Sequence, residues 1–123
     1  MSNNEVQFKM LVGAGIPVRA FKKGETIFRE GDIATELFVV EHGQVEISCG
    51  GRVLATIGDH GIFGEMVLID KQPRSATATA ATDVTIVPVT EKQFLFMVSE
   101  TPHFALNVMR ALASRLRAQN AAA

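Results

Sequence analysis

The sequence has one cysteine and neither tryptophan nor tyrosine among its 123 residues. Because Cys49 has no second cysteine to pair with, an internal disulfide, a CxxC redox pair and a thiolate metal cage are excluded. We interpret Cys49 as a half-buried strand residue in a reducing compartment rather than as a nucleophile. The histidines His42, His60 and His103 stand apart along the chain, so the sequence offers no close histidine pair for a metal.

An excess of one charge is also missing, because 12 Lys and Arg stand against 13 Asp and Glu. Binding to nucleic acid by counterion release needs a concentrated basic face, so we expect no direct nucleic-acid binding. No run of about 18 apolar residues is present to span a bilayer, and the N-terminus lacks the pattern of a signal peptide. We therefore expect a cytoplasmic protein with one domain over residues 1–123, whose 47% hydrophobic residues can fill a core.

No glycine follows Gly64, although the sequence has ten. The chain contains short runs of β-branched and aromatic residues, spaced too closely for crossover helices, which predicts antiparallel strands. Gly50-Gly51 is the strongest hairpin signal, because both residues adopt positive φ without penalty. Pro88 predicts an edge or a bulge at the end of the last strand. The predicted strands are Ile16 to Phe21, Glu25 to Phe28, Glu36 to Val40, Gln44 to Cys49, Arg52 to Ile57, Ser75 to Ala81 and Val84 to Val89.

Helices are predicted over residues 91–119. Thr90 and Gln93 have the spacing of a capping box, which predicts a short helix ending near Ser99. Thr101-Pro102 supplies an N-cap and a proline at the first position of a second helix. An apolar stripe follows at Ala105, Val108, Met109, Leu112 and Leu116. Residues 1–15 are predicted to form a helical segment, although Val6, Phe8 and Met10 alternate as in a strand.

The segment Gly61 to Thr77 interrupts the β pattern and carries groups that suit a particular ligand. Gly64 allows close approach of the backbone, and a turn of helix over Glu65 to Ile69 would point free N–H groups at an anion. The Arg74 guanidinium matches two phosphate oxygens. Glu65 would repel a phosphate, but its carboxylate is a strong acceptor for a hydroxyl such as a ribose 2′-OH. A phosphate and a hydroxyl on one small ring describe a 3′,5′-cyclic nucleotide.

The pattern FGE-x-x-L, four residues and PR-x-A resembles the phosphate-binding cassette of cyclic nucleotide-binding domains. The stretches Phe21 to Asp32 and Leu37 to Ile47 also resemble early strands of that family. The resemblance implies a mainly β fold with flanking helices, namely an eight-stranded antiparallel, jelly-roll-like β-roll over residues 16–90 with its cassette at 61–77. The implied ligand is cAMP or cGMP, with no separate cofactor and no metal.

The resemblance also implies roles for single residues. Glu65 would accept the ribose 2′-OH, and Arg74 would bind the cyclic phosphate. Ser75 would donate its hydroxyl either to a guanine or to the phosphate, and the sequence leaves both open. The other implied contacts are backbone contacts at Gly64, Met66 and Ala76, base contacts at Ile47 and Leu54, and contacts from the C-terminal helix at Arg115 and Gln119.

Two functions from different classes follow. In the first, the chain is a regulatory sensor, not an enzyme, that binds a cyclic nucleotide and signals through its C-terminal helix to an unidentified protein. In the second, the β-roll serves protein contacts or structure without binding nucleotide, and Glu65 and Arg74 form an exposed ion pair. The same helix is also a candidate for a homodimer that buries Leu112 and Leu116. Both a stand-alone bacterial module and a fragment of a larger regulator fit the sequence.

Overall fold

The computed structural model describes residues 17–100 and a set of helical positions beyond them. Those positions agree with the helix predicted from Pro102, and they are Pro102, His103, Leu106, Met109, Arg110, Ala113 and Ser114. The predicted N-terminal helical segment, Arg115 and Gln119 lie outside the described residues, as do Leu112 and Leu116.

Within the described residues, eight strands form two four-stranded sheets in which every pairing is antiparallel. The first sheet has the order β1-β8-β3-β6, and the second has the order β2-β7-β4-β5. The predicted β-roll class is therefore confirmed. The strands are β1 (Arg19–Phe21), β2 (Thr26–Phe28), β3 (Glu36–His42), β4 (Val45–Cys49), β5 (Arg52–Ile57), β6 (Ile62–Phe63), β7 (Thr77–Ala80) and β8 (Val84–Thr90).

The two inner strands of the first sheet, β3 and β8, are buried on both faces. Because side chains alternate along a strand, neighbouring residues enter different cores. On β3, Phe38 and Val40 belong to a core shared with the second sheet. Leu37 and Val39 belong to a core on the opposite face, which also contains Val67 and residues of a helix that follows β8. The continuous apolar run of β3 results from this double burial.

Local signals in the sequence predicted two of the connections. Gly50 and Gly51 join β4 to β5 with φ of 58° and 80°. Strand β8 continues directly into helix α1 (Glu91–Glu100). At this junction Thr90 N donates to Gln93 Oε1 at 2.8 Å, and Gln93 N donates to Thr90 Oγ1 at 3.2 Å. The predicted hairpin and the predicted capping box are both confirmed.

Other expectations need correction or refinement. The two-residue strand β6 lies inside the segment that was expected to hold no strand. It forms by pairing with β3, and a strand of two residues has no sequence pattern of its own. Cys49 is exposed rather than half-buried, because it ends β4 at the hairpin turn. On one side of β8, Pro88 pairs with Phe38 of β3. On the other side, β1 pairs with β8 from Val84 to Ile86 and stops before Pro88, so among the described residues Pro88 lies at a local edge. Among the described helices, none has the length and apolar composition needed to cross a membrane.

Candidate functional site

Gly64 directs the backbone into the predicted turn. Its φ of 74° and ψ of 16° lie in the left-handed region, and the 3₁₀ helix Glu65–Leu68 begins at the next residue. A Cβ on Gly64 would stand 2.9 Å from Arg74 Nη1. The position therefore favours glycine both for its conformation and for the close approach of Arg74.

Arg74 is held on the other side of the turn by its backbone and its side chain. Its N–H donates to Asp32 O at 2.8 Å, and its carbonyl accepts from Gly31 N at 2.8 Å. Its Nη1 donates to Gly64 O at 3.1 Å, and its Nη2 donates to Glu36 O at 2.6 Å. These bonds fix the guanidinium against the start of the cassette.

Both charges of the cassette are withdrawn from water. The Glu65 side chain is buried, with only 2% of the residue exposed, and Arg74 is partly buried. Burial lowers the pKa of the Arg74 guanidinium, while the carboxylates of Glu36, Asp32 and Glu65 act in the opposite direction. The alternative of an exposed ion pair is therefore wrong, because Glu65 is buried.

A cavity of about 510 Å³ opens beside the two charges. Its walls come from the cassette, from β4 and β5 and from the region of β2. The structure brings together around it the eight predicted site residues that it describes; their contact with a ligand stays a prediction. These residues are Ile47, Leu54, Gly64, Glu65, Met66, Arg74, Ser75 and Ala76.

Sequence reasoning missed other residues of the cavity wall. Phe28 and Ala34 line it from a part of the chain far from the cassette, and no local pattern indicates their position. Asp70 and Gln72 also line it, and their place inside the predicted cassette was the available signal. The described residues contain no group of three or more His, Cys, Asp or Glu side chains placed to hold a metal ion.

Comparison with known proteins agrees with this geometry. The sequence profile of the cyclic nucleotide-binding domain matches residues 18–101. The chain is 36% identical to the cyclic AMP receptor protein of Thermus thermophilus over 104 residues, which are 80% of this chain and 48% of that protein. It is 32% identical to the cGMP-dependent protein kinase of Eimeria tenella over 117 residues, 95% of this chain and 11% of that protein.

A solved structure shows the same architecture. The crystal structure of the Thermus thermophilus catabolite activator protein is similar with a TM-score of 0.76 and 30% identity, over 94% of this chain and 56% of that one. The chain spans about half the length of the bacterial receptor and regulator proteins that it matches. The matching profile, these similarities and the geometry of the cassette together show that the chain belongs to the cyclic nucleotide-binding domain family.

Proposed function

We propose that the chain binds a purine 3′,5′-cyclic nucleotide, cAMP or cGMP, and acts as the sensor module of a regulatory protein. The observation that carries this proposal is the placement of a buried carboxylate and a partly buried guanidinium at one cavity, Glu65 and Arg74. Water competes weakly for charged groups in such a place, so each of the two side chains can form a strong charge-assisted hydrogen bond with a ligand in the cavity.

The rest of the cavity suits the other parts of that ligand. Its volume of about 510 Å³ lies within the usual size of small-molecule sites. Ile47, Leu54 and Ala55 give β4 and β5 an apolar wall, against which a purine ring packs. Arg74 then takes the cyclic phosphate and Glu65 the ribose hydroxyl. The similar proteins support both ligands, since one is named for cyclic AMP and another for cGMP.

Calorimetric titration of nucleotide-free protein with cAMP and with cGMP tests the proposal directly. We expect one nucleotide per chain, with linear 5′-AMP and 5′-GMP as controls that lack the cyclic phosphate. Without tryptophan or tyrosine the protein absorbs very weakly in the near ultraviolet, so a co-purified nucleotide is visible in the spectrum. If neither cyclic nucleotide produces heat or a thermal shift, the proposal is wrong.

Signalling is proposed to run from the cassette to the C-terminal helices. Val67 of the cassette turn shares a core with Met97 of α1, and Leu68 and Phe94 pack against that core. Lys71 of the cassette also pairs with Glu91, the first residue of α1. A ligand that favours one position of the turn therefore acts on α1 through these contacts.

Hydrogen exchange measured with and without saturating ligand tests this route. We expect protection of the amides of α1 and of residues 102–119 to change on binding, while the amides of the β3 and β8 ladder serve as the internal control. Unchanged exchange in both helical regions at full occupancy would leave binding intact as a proposal and rule out this route for the signal.

One observation favours the second function, a β-roll that serves contacts without nucleotide. Arg74 holds two backbone carbonyls, which is a structural role that needs no ligand. For both functions we propose that the module binds without catalysing a reaction and that it acts on a protein partner. A second copy of the chain, bound through the C-terminal helix as a homodimer, is one such partner. The titration with cyclic nucleotides decides between the two functions.

A further inference from the structure

We propose that Phe28 is a positioning residue for the anion end of the cavity, and that its ring holds the Arg74 guanidinium in the orientation that receives the ligand. This inference rests on the proposed function for its ligand. It concerns a residue of β2, which is outside the cassette and is not a hydrogen-bonding group.

The guanidinium of Arg74 lies close to the Phe28 ring and over its face. Arg74 Cζ lies 4.2 Å from the centroid of the Phe28 ring and 5.6 Å from that of Phe38. A guanidinium at such a distance from a ring is attracted by the negative charge of the aromatic face. Because Phe28 also lines the cavity, the ring and the cation meet at the wall where a ligand would bind.

The position of the ring is itself fixed by the core. Phe28 lies 5.9 Å from Phe38 and 6.1 Å from Phe63, and Phe38 lies 5.2 Å from Phe63, measured between ring centroids. Phe63 is fully buried and Phe38 nearly so. The guanidinium therefore rests on a side chain that the two sheets hold in place, which is the kind of support that a precise binding group requires.

The hydrogen bonds of Arg74 do not account for its whole environment. Its two terminal nitrogens donate to Gly64 O and Glu36 O, while its buried Nε has no hydrogen-bond partner among the described residues. A buried donor without a partner is costly, and burial also disfavours the charged form of the group. The carboxylates of Glu36, Asp32 and Glu65 favour the charged form from a distance, and the face of the Phe28 ring adds a direct contact that also leaves the cation charged.

We expect the affinity for the nucleotide to depend more on the aromatic face of Phe28 than on the volume of its side chain. Phe28→Leu keeps an apolar side chain but removes the aromatic face, and we expect affinity for the cyclic nucleotide to fall roughly 5- to 30-fold. Phe28→Tyr keeps the ring, and we expect its affinity to stay within about threefold of the parent. Phe21→Leu is the matched control, because Phe21 packs against the same core and does not line the cavity.

Two further measurements separate positioning from general loss of stability. In an Arg74→Ala background, Phe28→Leu is expected to cause no further loss of affinity, because the cation that the ring supports is gone. In ligand-free protein, the Nε–H resonance of Arg74 is expected to be displaced by the ring current of Phe28, to stay so in Phe28→Tyr and to lose this displacement in Phe28→Leu.

These measurements distinguish a failure of the role of Phe28 from a failure of the proposed function. If the folded parent protein binds no cyclic nucleotide, the proposed function fails together with the ligand role of Phe28. If the parent binds and folded Phe28→Leu binds equally well, the role of Phe28 is wrong and the proposed function stands. A loss of affinity in Phe21→Leu equal to that in Phe28→Leu would also overturn the inference, since stability alone would then explain both.

Discussion

At the scale of single residues, the cassette places two opposite charges where water competes weakly for them. Glu65 is buried, and Arg74 is partly buried with two backbone carbonyls as acceptors. Such groups are costly to hold in a fold, and a ligand that contacts both repays part of that cost. The affinity for a cyclic nucleotide is therefore expected to depend steeply on these two side chains.

Replacing the charges one at a time tests this dependence. Arg74→Ala leaves the phosphate without its cation, and we expect a loss of roughly 30- to 1000-fold in affinity by calorimetry. Glu65→Gln keeps the volume of a buried side chain and is expected to cost less, because it also removes repulsion of the phosphate.

Arg19→Ala is the matched control for this pair. Arg19 carries the same charge and pairs with Glu36 at 2.8 Å, but it does not line the cavity. We expect its replacement to change affinity by about twofold or less, as for an exposed ion pair. A folded Arg74→Ala variant that binds as tightly as the parent would show that Arg74 does not hold the ligand.

Gly64 provides a second test at this scale, with a control inside the same chain. Gly64 and Gly51 have φ of 74° and 80°, so alanine at either costs about 1 kcal/mol of stability. A Cβ at Gly51 meets nothing within 4 Å, whereas one at Gly64 would stand 2.9 Å from Arg74 Nη1. We expect both substitutions to lower the midpoint of thermal unfolding, and Gly64→Ala alone to weaken nucleotide binding. Equal affinities for the two variants would contradict the close fit of Arg74 against Gly64.

At the scale of elements, short-range patterns predicted what is built from short-range contacts. The hairpin at Gly50-Gly51 and the capping box of Thr90 and Gln93 each depend on residues within four positions of one another. The cassette turn was predicted for the same reason. These features follow from local conformational preferences and do not depend on contacts with the rest of the chain.

Elements and contacts that depend on distant residues were not predicted from the residues themselves. Strand β6 exists because Phe63 pairs with Phe38, and a two-residue strand has no periodicity of its own. The contact of Phe28 with Arg74 joins β2 to the cassette across the sequence, so no spacing rule reveals it. The eight-stranded count and the roles of Ile47 and Leu54 came from the resemblance rather than from pattern.

The wall formed by β4 and β5 predicts weak discrimination between purine bases. Its residues at the cavity, Ile47, Leu54 and Ala55, offer no side-chain hydrogen bond to an exocyclic group. Apolar walls separate similar ligands only modestly, so we expect the affinities for cAMP and cGMP to differ by about tenfold or less in competition titrations with Ser75→Ala, which removes the hydroxyl that could reach a guanine. Leu54→Ala should weaken both ligands to a similar extent, and Val53→Ala, an exposed neighbour outside the cavity wall, should weaken neither. A preference above about 100-fold that persists in Ser75→Ala would contradict an apolar wall as the base contact.

At the scale of the whole molecule, the cavity and the core share residues. Phe28 lines the cavity and packs against the core between the sheets, while Val67 lines the cavity and belongs to the core beside α1. Ligand contacts therefore act on side chains that also hold the fold together. Binding and stability are expected to be linked.

The linkage has a calculable size if the unfolded chain does not bind. At a free ligand concentration of 100 times Kd, stability rises by about 2.7 kcal/mol, which corresponds to an increase of roughly 10 °C in Tm for a domain of this size. Differential scanning fluorimetry with an added dye measures the shift over a ligand series. Because its affinity is expected to be roughly 30- to 1000-fold lower, the Arg74→Ala variant should gain about 0.9 kcal/mol or less at the same concentrations, which is a shift of about 3 °C or less. A shift that is equal in both proteins would point to binding away from the cassette.

The exposed thiol of Cys49 gives this molecule a single site for chemical labelling. It is the one cysteine in the sequence and lies at the end of β4, the strand that also carries Ile47 at the cavity wall. A maleimide dye therefore reacts at one position without any substitution. Because the chain has no tryptophan, an added tryptophan on the cassette would be a unique donor for energy transfer to that dye. The distance between cassette and hairpin can then be followed in solution as a ligand enters.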